Sequence, residues 1–218
     1  MPGKIYAVIT ADIVGSRKIA TFRQRRDQKL KPISKLHRNE KLIISNYAVT
    51  TWDEFQVILT SPLHIPRVII DLRRFFQPMQ LWIAVGIGHV SAPHRFPVNV
   101  FSGGEAFERA RVAADQLKKD KGAKFRRLTR FASNNEFFDQ IANTIYALHD
   151  TLVQSTSSRQ WDTINTQIST GRQDLTAEKL NLDQSTVSRN LRRGYYWQIE
   201  ETQETVKALV HQVFRKKN

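Results

Sequence analysis

The chain reads as an α+β protein, a ferredoxin-like domain followed by an all-α domain built on a helix-turn-helix. Three observations predict this. Apolar or alternating runs at residues 4–14, 42–50, 55–60, 81–90 and 124–132 are separated by stretches of helical spacing, in the order βαββαβαβ. A polar, Ser/Thr-rich segment, VQSTSSRQ at 153–160, then marks a linker. Beyond it residues 161–217 keep helical spacing, and QDLTAEKLNLDQSTVSRNLRRG at 173–194 carries the pattern of two helices locked across a tight turn. The predicted domains are residues 1–152 and 161–218, with 153–160 between them.

Residues 4–14 alternate and then run apolar until Gly15-Ser16 breaks them, as a mostly buried strand does. Thr21 to about Arg38 has helical spacing, with Pro32 expected to kink or split the helix. Leu42–Thr50 and Phe55–Thr60 flank the polar turn Thr51-Trp52-Asp53-Glu54, which predicts a hairpin. Pro62–Phe76 reads as a helix and Leu81–Val90 as a strand containing Gly86 and Gly88. After a proline-containing loop, Ser102 and Glu105 match a capping box, and Phe107, Ala110, Ala114 and Leu117 follow helical spacing. Residues 124–132 read as the last strand and Asn135–Gln154 as a long helix. A strand, helix and hairpin followed by helix and strand fit a ferredoxin-like sheet with helices on one face.

In the tail, Ala177 stands where the first helix of the pair must pass close to the second, so it has to be small. Leu180, Leu182, Val187 and Leu191 supply the apolar contacts between the two helices, and Thr176 stands where an apolar residue is more usual. Asn181 takes the turn because asparagine tolerates left-handed dihedrals, and Asp183 is placed to cap the second helix. Gln184, Ser185, Thr186, Ser188 and Arg189 then open a recognition helix facing base edges and phosphates of double-stranded DNA, with Arg192 and Arg193 on phosphates. Two packed amphipathic helices also occur in domains that touch no nucleic acid. The last helix, about Tyr196–Phe214, carries Ile199, Val206, Leu209, Val210 and Val213, to pack on the helix-turn-helix or to form the seam of a homodimer.

Composition narrows the function classes. Net charge is +14, which favours an anionic partner. The excess lies outside the helical tail: residues 1–150 hold 24 Lys and Arg against 13 Asp and Glu, whereas residues 151–218 hold 10 against 7. Residues 17–41 and 118–130 carry much of it, as a second anion-binding surface or as solvated helix faces. No cysteine is present, which excludes disulfides and thiolate zinc sites. The six histidines are scattered rather than set at metal-ligand spacing. No run of about 18 apolar residues predicts a membrane span, and no signal-peptide pattern opens the chain, so a cytoplasmic location is expected.

Two acidic positions stand at strand-loop junctions. Asp12 ends the first strand, and Asp53 sits with Glu54 at the hairpin tip. Central neighbours on a ferredoxin-like sheet, Asp12 and Asp53 could converge on one Mg²⁺ or Mn²⁺, since such ions take hard oxygen ligands. Backbone amides of Val14, Gly15 and Ser16 could cradle a phosphate. Spacing alone favours the plainer reading, in which Asp12 caps a turn and Asp53-Glu54 form a polar tip.

A resemblance adds to this. TADIVGSRKI resembles the first metal-binding motif of class III nucleotide cyclases and TWDEFQVIL their second; LWIAVGIGHV is similar to the strand before their active-site loop, and SGGEAFERARVA to the next helix. The order holds across most of residues 4–131. With a helix-turn-helix behind it, the chain resembles the SatD family of prokaryotic proteins. The resemblance implies a nucleotide cyclase-like palm, with Asp12 and Asp53 as metal ligands beside the phosphate cradle of Val14, Gly15 and Ser16; in an enzyme, Arg17 and Lys18 would steer a triphosphate. Departures count against cyclase activity. Glu108 and Val112 stand where cyclases place the asparagine and arginine that stabilise the transition state, Val49 replaces the purine-reading lysine, and Trp52 replaces a glycine beside the second aspartate. The expectation is a DNA-binding transcriptional regulator whose palm is non-catalytic and senses a nucleotide with metal, or dimerises. The alternative is a Mg- or Mn-dependent nucleotidyl enzyme regulated by the helical domain.

Overall fold

The computed structural model describes residues 4–91, 103–119 and 127–214. β1 (Ile5–Ile13) lies at the centre of a five-stranded sheet completed by β2 (Ala48–Val49), β3 (Glu54–Leu59), β4 (Leu81–His89) and β5 (Thr129–Ala132). The strand order is β2-β3-β1-β4-β5. Neighbours are antiparallel except β4 and β5, which run parallel. The first four strands with α1 (Phe22–Asn39) and α2 (Ile65–Phe76) form the split βαβ arrangement of a ferredoxin-like sheet. α3 (Glu105–Lys119) carries the chain from β4 to β5, and α4 (Glu136–Ser155), α5 (Ser158–Thr170), α6 (Gln173–Leu180), α7 (Gln184–Arg193) and α8 (Tyr196–Phe214) follow. Capping box residue Ser102, residues 124–126 of the last predicted strand, Lys121, Lys124 and Arg126 of the second basic run, and 215–217 of the stretch with helical spacing lie outside the described residues.

β1 is apolar at nearly every position because both its faces are buried. Ala7, Ile9, Ala11 and Ile13 point with Phe55, Val57, Ile83, Val85 and Ile87 into the main core under α1 and α2. α4 joins that core through Phe138, Ala142 and Tyr146, and α8 through Val206 and Val210. Each fully buried side chain of this size contributes about 1.5–3 kcal/mol relative to exposure. The opposite face, Tyr6, Val8 and Ile58, is covered by Ala106 and Ala110 of α3. Helices therefore flank both faces, not one, because a parallel β4-α3-β5 crossover places its helix against the sheet. Gly86 makes the close approach possible: a Cβ there would lie 2.0 Å from the Ala106 carbonyl oxygen.

A second cluster, Trp161, Ile164, Ala177, Val187, Leu191 and Ile199, holds α5 to α8 together and reaches Ile70 of α2 and Val153 of α4. α8 thus bridges the two clusters. The Arg74 guanidinium donates to Asn165 Oδ1 at 2.8 Å, tying α2 to α5.

Three elements depart from the pattern expected from the sequence. The strand predicted over 42–50 pairs regularly at Ala48–Val49 alone, with an isolated bridge from Ile43 to Leu59. The Tyr47 amide donates to Ser34 Oγ on α1, and its hydroxyl lies 3.0 Å from His37 Nδ1, which pulls this stretch off the ladder. Pro32 does not split α1, which runs unbroken from Phe22 to Asn39. The polar segment 153–160 is mostly helical. α4 continues to Ser155, and Ser157 forms a capping box with Gln160 at the start of α5, so the Ser/Thr signal is a helix cap.

Candidate functional site

Asp12 is the penultimate residue of β1, and the antiparallel register sets it directly opposite Glu54, not Asp53. Side chains alternate along a strand, so Asp12 and Glu54 share the face covered by α3. Lys118 of α3 lies on the same side, its ammonium 3.7 Å from Asp12 Oδ2. Glu54 accepts from the Thr50 hydroxyl at 2.6 Å. Asp53 is engaged elsewhere: the Ser16 hydroxyl donates to its Oδ2 at 2.6 Å, and its carbonyl accepts from the Ile13 amide. The two predicted metal ligands thus have separate partners. Among the described residues no group of three or more His, Cys, Asp or Glu gathers to hold a metal.

The predicted phosphate cradle is altered too. The chain leaves β1 through Gly15 at φ 69°, a left-handed turn suited to glycine, and enters a short 3-10 turn at Ser16–Lys18. The Val14 amide donates to the Gln80 carbonyl at 2.9 Å, so Val14 is committed to the end of the β1–β4 ladder and an anion there would rest on Gly15 and Ser16. Arg17 and Lys18 are exposed beside them. Trp52 is half exposed, stacked on Phe22 with the Arg23 guanidinium 4.2 Å from its ring, which fixes the hairpin tip against the start of α1.

Between α3 and the sheet runs a groove of about 440 Å³. Thr10, Glu54 and Gln56 form its floor, and Glu108, Arg111 and Lys118 stand on its wall. The register could have signalled Glu54, since it is the acidic residue on the face of Asp12; Lys118 is 106 positions away in the sequence and carries no local signal. A larger basic cleft of about 520 Å³ lies along α1, where Lys31, Lys35 and Arg38 stand above Ser34 and Tyr47. Behind it, His37 links Tyr47 to Asp71 in a buried chain. Burial alone would raise the Asp71 carboxyl, but hydrogen bonds from His37 and Arg67 and the charges of Arg67 and Arg74 hold it below its ordinary range.

The second candidate surface is α7. α6 ends at Asn181, left-handed at φ 50° and ψ 52°, and the Leu182 amide returns to the Ala177 carbonyl at 2.9 Å. This closes the turn in three residues. Val187 and Leu191 are buried and seat α7 on α5 and α6. Leu182 is 39 % exposed and takes no part in that seat. Asp183 holds the N-cap position by its backbone, but its side chain makes no capping bond. Thr176 is wholly buried and bonded to Thr170, Gln167 and the Arg172 carbonyl, so a polar residue fills an apolar position by satisfying its hydroxyl. Gln184, Ser185, Ser188, Arg189, Arg192 and Arg193 are exposed, and Thr186 is half-buried. Helical spacing puts Ser185, Ser188, Arg189 and Arg192 on one face.

The sequence matches the SatD family over residues 6–207. The chain belongs to the SatD family. No curated protein matches this SatD-family chain in sequence. Among solved structures it is similar to the GGDEF domain of PA1120 (YfiN or TpbB) from Pseudomonas aeruginosa, with 18% identity, 61% of this chain and 84% of that one covered, and a TM-score of 0.39. It is also similar to a regulator of polyketide synthase expression from Bifidobacterium adolescentis, with 14% identity, 98% and 83% covered, and a TM-score of 0.30. No described helix of the SatD-family chain is long and apolar enough to cross a membrane.

Proposed function

We propose that this SatD-family chain is a DNA-binding transcriptional regulator, with α6 and α7 as a helix-turn-helix and the sheet domain as a non-catalytic, cyclase-like palm. The observation that carries the reading is the outer face of α7. It presents Gln184, Ser185, Ser188, Arg189 and Arg192 with no acidic side chain within the helix, while Val187 and Leu191 anchor the other side. A helix so mounted fits the major groove of B-DNA, where arginine and glutamine read base edges. Arg193 and the basic face of α1 would add attraction to phosphates. The cytoplasm is the compartment this role requires.

Arg189→Ala is expected to weaken duplex-DNA binding by about 5- to 150-fold, the cost of about 1–3 kcal/mol for losing one base contact. Fluorescence anisotropy on a labelled duplex pool, with circular dichroism as a folding check, measures it. Unchanged affinity at every salt concentration would sink the assignment of α7.

The palm supports non-catalytic use because the Lys118 ammonium already faces Asp12 and the Ser16 hydroxyl already bonds Asp53. As arranged, these residues do not fit a shared Mg²⁺ or Mn²⁺. The second reading, a metal-dependent nucleotidyl enzyme, requires both carboxylates to exchange those partners for a cation. The palm as a nucleotide sensor needs the same rearrangement if metal accompanies the nucleotide. Nucleoside triphosphates with Mg²⁺ or Mn²⁺ are expected to leave the melting temperature unchanged. A ligand at about 100 times its Kd would add about 2.7 kcal/mol. A metal-dependent rise that Asp12→Ala abolishes would establish the second reading.

A further inference from the structure

α4 is apolar on two sides. Its inner stripe, Phe138, Ala142, Tyr146, His149 and Val153, is buried. Its outer stripe, Phe137, Ile141, Thr144, Leu148 and Thr151, recurs at alternating intervals of four and three, the period of a helix-helix seam. Phe137 and Leu148 are each 68 % exposed. Thr144 and Thr151 donate their hydroxyls to the carbonyls of Gln140 and Ala147 one turn back, so this face can be dried without orphaning a hydroxyl.

The stripe itself carries no charge; Glu136 and Asp139 stand beside its Phe137 end. Between Gln140 and Ser155 the ionisable side chains that titrate near neutrality or below are His149 and Asp150, and both are buried. Burial pushes the His149 pKa down to about 3, which keeps the ring neutral. The whole chain bears +14, and α1 alone displays Arg23, Arg25, Lys31, Lys35 and Arg38 to solvent. Two copies repel across such surfaces, so an uncharged stripe is where they can approach. The stripe is self-complementary as well. The spacing Phe137-Ile141-Thr144-Leu148 reads four, three, four in either direction. An antiparallel pair about a two-fold axis between Ala142 and Asn143 sets Phe137 against the partner's Leu148 and Ile141 against the partner's Thr144, as an isologous contact requires.

We propose that the outer face of α4 is a homodimer interface, occupied by the α4 of a second copy packed antiparallel. This places the seam on α4 and not on α8, whose Ile199, Val206 and Val210 are buried within the chain. It does not depend on DNA binding.

The chain has no cysteine, so introduced cysteines test this cleanly. Sedimentation equilibrium is expected to give a dimer, and Phe137→Glu or Leu148→Glu a monomer with unchanged far-UV circular dichroism. Phe137→Glu combined with Leu148→Lys on one chain faces each glutamate with the partner's lysine and is expected to restore the dimer. Oxidation of Thr144→Cys is expected to give a covalent dimer, since the two copies' residues 144 lie about 4.5 Å apart along the axis, whereas Leu148→Cys, about 16 Å apart, stays uncrosslinked. A wild-type monomer at all accessible concentrations overturns the proposal, as does a dimer that survives both glutamates. Crosslinking of both single cysteines overturns the antiparallel arrangement.

Discussion

Asp150→Ala is expected to cost about 3–5 kcal/mol of folding stability, the range for removing one partner of a buried ion pair. Asp150 is fully buried on α4. Its Oδ1 accepts from Arg73 Nη2 at 3.0 Å and from the Thr129 hydroxyl at 2.9 Å, and its Oδ2 from the Leu128 and Thr129 amides at 2.8 and 2.7 Å. Arg73, also buried, donates to the Leu81 carbonyl and to Thr129 Oγ1. One carboxylate therefore joins α2, α4 and the entry to β5. Burial pushes the Asp150 carboxyl up and the Arg73 guanidinium down, each toward its neutral form, and the mutual charge and these hydrogen bonds oppose both shifts. Alanine leaves the guanidinium without its counter-ion and two amides without acceptors. A domain has about 5–15 kcal/mol in total, so the variant would sit near its unfolding threshold. Urea denaturation of Asp150→Ala, Arg73→Met and the double variant completes the check. A coupling of about 2 kcal/mol or more is expected; additive single losses would show that the pair does not act as a unit.

Gly86→Ala is expected to cost about 3 kcal/mol or more, the upper range for overpacking. The new Cβ would lie 2.0 Å from the Ala106 carbonyl oxygen, 2.3 Å from the Ala110 amide nitrogen and 3.0 Å from the Ala110 Cα. All three are backbone atoms of α3, so no side chain can swing away, and the helix itself must lift from β4. That would open the core formed by Val8, Ile58, Ala106 and Ala110. Gly103→Ala is the control, because its Cβ meets nothing within 4 Å. It should stay within about 0.5 kcal/mol of wild type. Equal denaturation midpoints for the two variants would mean that α3 is not seated as described. The groove beside Asp12 depends on the same seat, since α3 supplies its wall.

What could be read from the sequence was what periodicity encodes. The apolar run of β1, the 3.6-residue spacing of α2 and α4, and Asn181 between two helical stretches are local patterns, and the elements stand where those patterns put them. Motif order was legible as well: ADIVGSR, TWDEFQ and GGEAFERAR fall in the sequence expected of a SatD-family chain, and the family match spans residues 6–207. Long-range choices were not legible. Arg73 and Asp150 are 77 positions apart, and nothing near either residue signals the other. Asp12 and Asp53 looked like partners because the first strand and the hairpin tip are central neighbours on a ferredoxin-like sheet. The register instead set Asp12 against Glu54, and the packing of α3 brought Lys118 to it. α4 shows the distinction most plainly. Its sequence holds two apolar stripes of similar strength, and only the position of the sheet decides that Phe138 and Tyr146 go inside while Phe137 and Leu148 stay out. Periodicity is a property of one element, whereas burial and pairing are properties of the neighbours that the fold supplies.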